Sequence, residues 1–555
     1  MGFDYYNIKT FQKRLIEYSD FPEGGFRHST ISNTELNLDF LATFNKRISD
    51  FSVYVMAGAN YRDENWQSIT LGANALTLPG VYTITNKVGD AETLMDNSTI
   101  RSNSVFSNAS IGWRDQLYVD LSARNDWHST IRDAIFYPSV SLSWIPTQTI
   151  EALKNDVLSF LKIRGGWAEV GVATTAYRNR AYYLSQSSSF NGTTQLFRSM
   201  TYPNAGLRPE SIRTWEAGID VGLFDSRLRL DVAYYYKTTK DQIMSVSTSN
   251  TAGFTSMLLN AGEIESKGLE IQLSGDILRN KDGLNWTSQI NFAKERSMVI
   301  ELYPELDINT YQVGWTWGIA TQARKGEKWG SLVGTGYDRD EKTGAIKVTQ
   351  AGLIATKSSQ VIGNVSPDFI GGWRNEFSYK NLSFGFLFDL RVGGDIWSQS
   401  MSHSYTAGTA AITAENGVRE RAIVAGVDVM KNENFVMNDG NGNWVKNTIE
   451  TDAQTWFEGG GVAEQYVFDG SFLKLREANI TYTVPSRFLK KFSNISRATV
   501  SIIGSNLALL WVHDSNTLRL DPEVGGVSSD SRGVGFEQAS TPNSRSFGLK
   551  LGLTF

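Results

Sequence analysis

The chain has 555 residues, with 53 Lys or Arg against 58 Asp or Glu and a net charge of -5. That balance excludes a nucleic-acid binder driven by bulk charge, and the absence of cysteine excludes thiol nucleophiles, Cys-based zinc sites, iron–sulfur clusters and disulfide frameworks. With 41% hydrophobic and 20% charged residues the chain is not of disordered composition; no stretch approaches the roughly 20 apolar residues of a membrane helix, whereas a membrane β-barrel stays open because its strands average apolar and polar positions.

Met1 to Asp20 is mixed throughout, without the basic start and apolar core of a secretory signal, and residues 1–31 read as a loop. Beyond them, alternation with a period of two dominates. Leu117, Val119, Leu121 and Ala123 oppose Tyr118, Asp120, Ser122 and Arg124. Val140, Leu142 and Trp144 oppose Ser139, Ser141 and Ser143. Leu228, Leu230, Val232 and Tyr234 oppose Arg229 and Asp231, and Phe384, Phe386, Phe388 and Leu390 oppose Asp389 and Arg391. Phe547, Leu549, Leu551, Leu553 and Phe555 carry one apolar face to the last residue. This pattern predicts about fifteen strands. They lie near 32–46, 49–62, 103–113, 115–125, 135–145, 158–170, 211–222, 228–241, 263–275, 285–297, 367–379, 382–395, 471–484, 497–510 and 543–555.

The connections alternate in length. Short ones fall near 47–48, 114, 146–157, 223–227, 276–284, 380–381 and 485–496; long ones near 63–102, 171–210, 242–262, 298–366, 396–470 and 511–542, with 126–134 a short exception on the long side. Short turns on one rim and long loops on the other are the pattern of a transmembrane antiparallel β-barrel, with short periplasmic turns and long extracellular loops. An odd strand count would place the two chain ends on opposite sides. A complete bacterial barrel has an even count, so residues 1–555 read as the C-terminal part of a longer barrel protein.

No enzyme motif emerges. His28, His128, His403 and His513 show no ligand spacing, and there is no HExxH, P-loop or GxSxG. Asp338 to Gly344 and Asn438 to Asn443 read as turns, and calcium in one of these outer loops is the only cofactor left open. Trp113, Trp144, Tyr236, Trp286, Trp373 and Tyr482 fall near strand ends, where rings form interfacial girdles. Trp127, Trp315, Trp317, Trp397, Tyr405 and Trp456 fall in or beside outer loops, where their faces suit a sugar ring, a peptide side chain or a partner protein. Arg124, Arg229, Asp231, Asp389 and Arg391 are expected to face a wet lumen. The run Phe547, Leu549, Leu551, Leu553, Phe555 suits an edge strand offered to assembly machinery by β-augmentation.

Several stretches resemble the SusC/RagA family of TonB-dependent outer-membrane transporters. They are Phe136 to Ser139 with Trp144, Leu161 to Trp167, Pro203 to Glu210 with Thr214 to Gly218, and Asn260 to Glu270. Ile362 to Asn364 with Pro367 to Phe369, Gly393 to Asp395, Asp469 to Glu477 and Ser546 to Phe555 complete the set. The resemblance implies a barrel of 22 strands, so about fifteen leave a remainder outside this chain. It also implies a signal peptide, a carboxypeptidase-like domain, a TonB box and a plug, none of which is read in residues 1–555. The implied role is import of oligosaccharides or peptides across the bacterial outer membrane, with no bond broken. The implied partners are a SusD-like surface lipoprotein, the TonB complex acting through the N-terminal part, and the barrel-assembly machinery, with no nucleic acid. The alternatives are a non-TonB porin or surface adhesin barrel, a soluble carbohydrate-binding β protein, and a non-functional fragment.

Overall fold

The computed structural model describes residues 1–16, 21–185, 190–191, 193–303, 305, 307–430, 433–459, 461–489, 495–523 and 535–555. The expected connections near 485–496 and 511–542 therefore lie partly outside the described residues. Sixteen long strands run along the chain. They are β1 (Gly2–Arg14), β2 (Gly25–Ile48), β3 (Phe51–Ala73), β4 (Glu92–Trp113), β5 (Leu117–His128), β6 (Ile135–Trp144), β7 (Leu158–Val172) and β8 (Glu210–Leu223). There follow β9 (Leu228–Ser247), β10 (Ser256–Leu278), β11 (Leu284–Glu301), β12 (Phe369–Tyr379), β13 (Leu382–Val392), β14 (Phe472–Thr483), β15 (Arg497–Val512) and β16 (Ser546–Thr554). With the short strand Thr201–Tyr202 they make up a sheet of 17 strands. The fold divides into two units: residues 1–149, 163–216 and 237–263, and residues 150–162, 217–236 and 264–555.

In the first unit, β1 through β7 pair antiparallel in chain order. Directly opposed residues share a face, so the register can be read as rows. One row runs Phe44, Val55, Ala109, Leu121, Val140, Trp167 across six strands. The adjacent row, on the other face, runs Asn45, Tyr54, Ser110, Asp120, Ser141, Gly166. The second unit repeats this. Trp286, Phe377, Phe384, Ile480, Ile502 and Leu549 form a row across β11 to β16, beside a row of Asn285, Ser378, Ser383, Thr481, Ser501 and Lys550. Phe44, Ile502 and Leu549 are 53%, 59% and 69% exposed. An apolar row that stays partly or largely exposed across these strands suits lipid, and a polar row on the opposite face suits water.

Strand β1 corrects the reading of residues 1–31 as a loop: Gly2–Arg14 pairs along its whole length with β2, from Gly2 opposite Asn37 to Arg14 opposite Gly25. The count of long strands becomes sixteen, which removes the odd parity. Several strands also outrun their expected bounds: β2, β3 and β10 have 24, 23 and 23 residues. A membrane strand needs about 9–11. Beyond the apolar band both faces of β2 to β4 carry charged residues. Arg62 pairs with Glu35 at 2.7 Å on one face, and Arg101 with Asp63 at 2.6 Å on the other.

Candidate functional site

The long connections of the second unit fold around a core of their own. Ile319, Leu332, Ile346, Trp397, Met401, Tyr405, Trp456, Phe457, Tyr466, Phe468 and Phe536 belong to one buried apolar cluster drawn from three separate connections. Helix α1 (Gln399–Thr406) and helix α2 (Ala453–Gly459) supply part of it. The α1 N-terminus is closed by a carboxylate from far along the chain. Glu537, 3% exposed, accepts hydrogen bonds from the Ser398 hydroxyl at 2.6 Å and from the Ser400 N–H and hydroxyl at 3.0 Å each. A buried carboxylate at a helix N-terminus is stabilised by the free N–H groups and the helix dipole.

Half of the aromatic residues expected to present open faces are packed into this core: Trp397, Tyr405 and Trp456 are 4%, 5% and 2% exposed. Trp315 and Trp317 are 63% and 69% exposed, and in the first unit Trp127 is 50% exposed. Trp317 sits at the tip of a hairpin, Thr310–Thr316 paired with Ile319–Arg324. With Thr316 opposite Ile319, the turn has two residues, Trp317 at φ 44° and Gly318 at φ 81°. Two left-handed residues make a type I′ turn, where Asn-Gly is the favoured pair and a tryptophan is costly. The tip end of the hairpin is tied down by Gln538, whose side chain donates to the Thr316 hydroxyl at 2.6 Å.

Beside that tip is a cavity of about 290 Å³ lined by Trp317, Thr335, Trp397, Gln399, Ser402, His403 and Tyr466. The His403 ring meets Trp317 edge-on, 6.2 Å between centroids, and its Nε2 lies 3.2 Å from the Gln399 side-chain nitrogen. Burial pushes the Tyr466 phenol above its ordinary value, with Tyr405 adding to the shift, so the phenol stays protonated at neutral pH. The lining holds no carboxylate, ammonium or guanidinium group: a flat aromatic face stands beside amide, imidazole and hydroxyl groups. Such a lining suits stacking and neutral hydrogen bonds. His403, Gln399, Ser402 and Tyr466 had no sequence signal, since nothing in spacing ties them to Trp317.

The remaining expected residues are placed as follows. Arg124 lies on the polar face, with Nε 2.7 Å from Asp126 and Nη2 donating to Ser104 at 2.7 Å. Arg229 and Asp231 alternate in phase with Tyr235, whose hydroxyl is 3.1 Å from Glu295. Asp389 is held by Arg476. Arg391 donates to the Gly393 carbonyl at 3.1 Å and the Val365 carbonyl at 3.0 Å, so it pins a loop instead of facing open lumen. Phe547, Leu549, Leu551, Leu553 and Phe555 are 55–82% exposed. Among the described residues no group of three His, Cys, Asp or Glu stands ready for a metal. Asp340 accepts from the Thr343 N–H at 2.9 Å and hydroxyl at 2.7 Å, and Asp439 from the Asn441 and Asn443 N–H groups at 2.8 and 3.1 Å. Those contacts, led by the side chains of Thr343 and Asn443, hold both carboxyls below their usual value.

Residues 2–345 match the family described as TonB dependent receptor-like, beta-barrel. TonB-dependent receptor P26 of Formosa agariphila is 26% identical over 487 residues, covering 83% of this chain and 47% of its own length. TonB-dependent receptor SusC of Bacteroides thetaiotaomicron is 22% identical over 299 residues, 50% of this chain and 30% of its own. The solved structure of the RagAB peptide transporter superimposes with a TM-score of 0.74 at 18% identity, covering all of this chain and 59% of that one. The chain thus spans about half the length of the curated relatives it matches.

Proposed function

The chain belongs to the TonB dependent receptor-like β-barrel family, as a SusC/RagA-type receptor of the outer membrane, and we propose that it serves TonB-dependent import of oligosaccharides or peptides as the barrel partner of a SusD-like surface lipoprotein. In this reading the lipoprotein closes over the outer loops, ligand is gripped there, and the TonB complex acts through a part of the protein outside residues 1–555. The barrel-assembly machinery inserts the sheet by way of β16. No bond is broken and no cofactor takes part.

The observation that carries the reading is the Trp317 turn. A tryptophan occupies a left-handed position of a tight hairpin and remains 69% exposed. Such a residue costs backbone energy and recovers little by burial, which suits a residue kept for contact. The neighbouring groups, polar and mostly uncharged, favour a sugar ring over a charged peptide end. Peptide remains the competing ligand, because the RagAB structures this chain resembles in fold are those of a peptide transporter.

The test uses the full-length protein in its own cells. Trp317→Asn creates the favoured turn pair and should leave outer-membrane levels intact. Losing one aromatic face should cut uptake of labelled oligosaccharide about tenfold. Wild-type uptake should vanish with a protonophore. Uptake unchanged by the substitution removes Trp317 from the site, and uptake indifferent to the protonophore overturns energised import.

A further inference from the structure

The loop between β7 and β8 differs in charge from the rest of the chain. Residues 173–209 contain four arginines, Arg178, Arg180, Arg198 and Arg208, and no Lys, Asp or Glu, within a chain of net charge -5. Arg208 pairs with Asp241 at 2.8 Å. The other three line a cavity of about 200 Å³ in the first unit, together with Tyr177, Tyr182 and Phe254. Among the described residues none of the three is ion-paired to a carboxylate, and the undescribed positions of this loop, 186–189 and 192, are Gln, Ser and Gly by sequence. Like charges gathered around a cavity without counter-ions repel one another, so the arrangement is stabilised by an anion.

One of the three cations is held by contacts of its own, and the segment bearing the other two is anchored. The Arg198 guanidinium lies over the Phe254 ring, 4.0 Å from its centroid, and donates to the Gly253 carbonyl at 2.6 Å. Phe254 is in turn braced edge-on by Tyr202 at 4.8 Å. Asn179, between the two free arginines, donates to the Thr130 carbonyl at 3.2 Å, which ties their backbone to a neighbouring loop. Tyr177 and Tyr182 meet edge-on at 6.3 Å and are 50% and 46% exposed, so ring surface is left open beside the guanidinium groups. A stacked, preorganised guanidinium loses little freedom on binding and grips carboxylate or sulfate oxygens in a fork.

We propose that this cavity is a subsite for an acidic sugar unit, a pyranose carrying a carboxylate or a sulfate ester. Arg178 and Arg180 hold the charged group, Arg198 sets the second edge, and Tyr177 and Tyr182 receive the ring face. The volume is below the roughly 300–1,000 Å³ of pockets for whole drug-sized ligands, so it takes one unit of a longer chain. A sugar fits better than an acidic peptide, because its charge is fixed rigidly to a ring that the tyrosines can stack on, whereas a Glu or Asp side chain brings charge without a ring. The proposal rests on the reading of this protein as an outer-face receptor for oligosaccharides and narrows the class to acidic ones.

The experiment measures binding to the full-length protein in detergent by calorimetry, with four probes: trigalacturonic acid, a sulfated trisaccharide, maltotriose and tri-glutamate. One or both acidic sugars should bind, weakening as salt is raised, and which of them binds separates carboxylate from sulfate. Arg178→Gln and Arg180→Gln should each weaken binding about ten- to a hundredfold, and Tyr182→Ala should weaken it without changing the salt dependence. Each variant is used only where its outer-membrane level and melting match the parent. Maltotriose binding as tightly as the acids, or either arginine variant binding as the parent does, overturns the proposal; tri-glutamate binding more tightly than both acidic sugars replaces it with a peptide site. Binding is read apart from transport, so a protein that binds acidic sugar but imports nothing fails only the import reading.

Discussion

Replacing Lys474 with methionine should release the segment 513–523 from strand β14. The Lys474 side chain is 1% exposed, with its ammonium donating to Asp521 at 2.5 Å and also to Glu523. Removing one partner of a buried ion pair costs about 3–5 kcal/mol. Here the carboxylates keep other partners: Arg476 holds Glu523 at 2.7 Å, and the Asn543 side chain donates to Asp521 at 3.0 Å. The loss therefore falls near the lower end, about 3 kcal/mol, which is roughly a hundredfold in the opening equilibrium. Methionine keeps the apolar stem, so cavity effects stay small. Hydrogen exchange of the full protein in detergent reads the opening segment by segment. The pH dependence gives a second, sharper check. Burial alone would raise both carboxyls, but Lys474, and Arg476 for Glu523, pull them below their usual values. A depressed folded pKa means stability that is complete above the unfolded value of about 4 and lost as pH falls through the folded one. In the parent, acid should therefore loosen the segment. In Lys474→Met, Asp521 loses its cation and burial raises it, whereas Glu523 keeps Arg476, so the loosening by acid should shrink. Equal exchange in the two proteins at neutral pH, or an undiminished pH dependence, refutes the account.

Glu537→Ala removes three hydrogen bonds to a buried carboxylate at the start of α1 and should cost about 3 kcal/mol locally; exchange protection across 398–406 should fall while that of β15 and β16 holds. Calcium should not shift the melting of the parent protein, because the Asp340 and Asp439 oxygens already accept hydrogen bonds inside their own turns; a shift abolished by Asp439→Ala would assign a calcium site there. Deleting Phe555, which is 82% exposed at the end of the apolar run, should lower the amount of protein in the outer-membrane fraction without altering its synthesis. Normal levels would separate Phe555 from assembly.

What could be read in advance follows from where the solvent differs on the two sides of a strand. In the apolar band, one face meets lipid and the other water, so Leu549 and Lys550, or Val140 and Ser141, announce their sides in the sequence itself. Above the band both sides meet water. Arg62 and Asp63 point to opposite faces and both find ion pairs, so alternation in hydropathy vanishes while the hydrogen-bond ladder continues, and the upper reaches of β2 and β3 go unmarked. Strand β1 hides for a related reason. Phe3, Tyr5, Ile8 and Phe11 break the period of two, and all are 49–63% exposed; its pairing with β2 defines it, and pairing between distant residues leaves no local trace. The loops show the same limit in another form. Trp317 and Trp397 belong to one residue type in stretches of similar composition, yet one is 69% and the other 4% exposed. An irregular segment has no repeat from which burial can be counted, so only the meeting of three remote connections decides which tryptophan packs and which is left exposed.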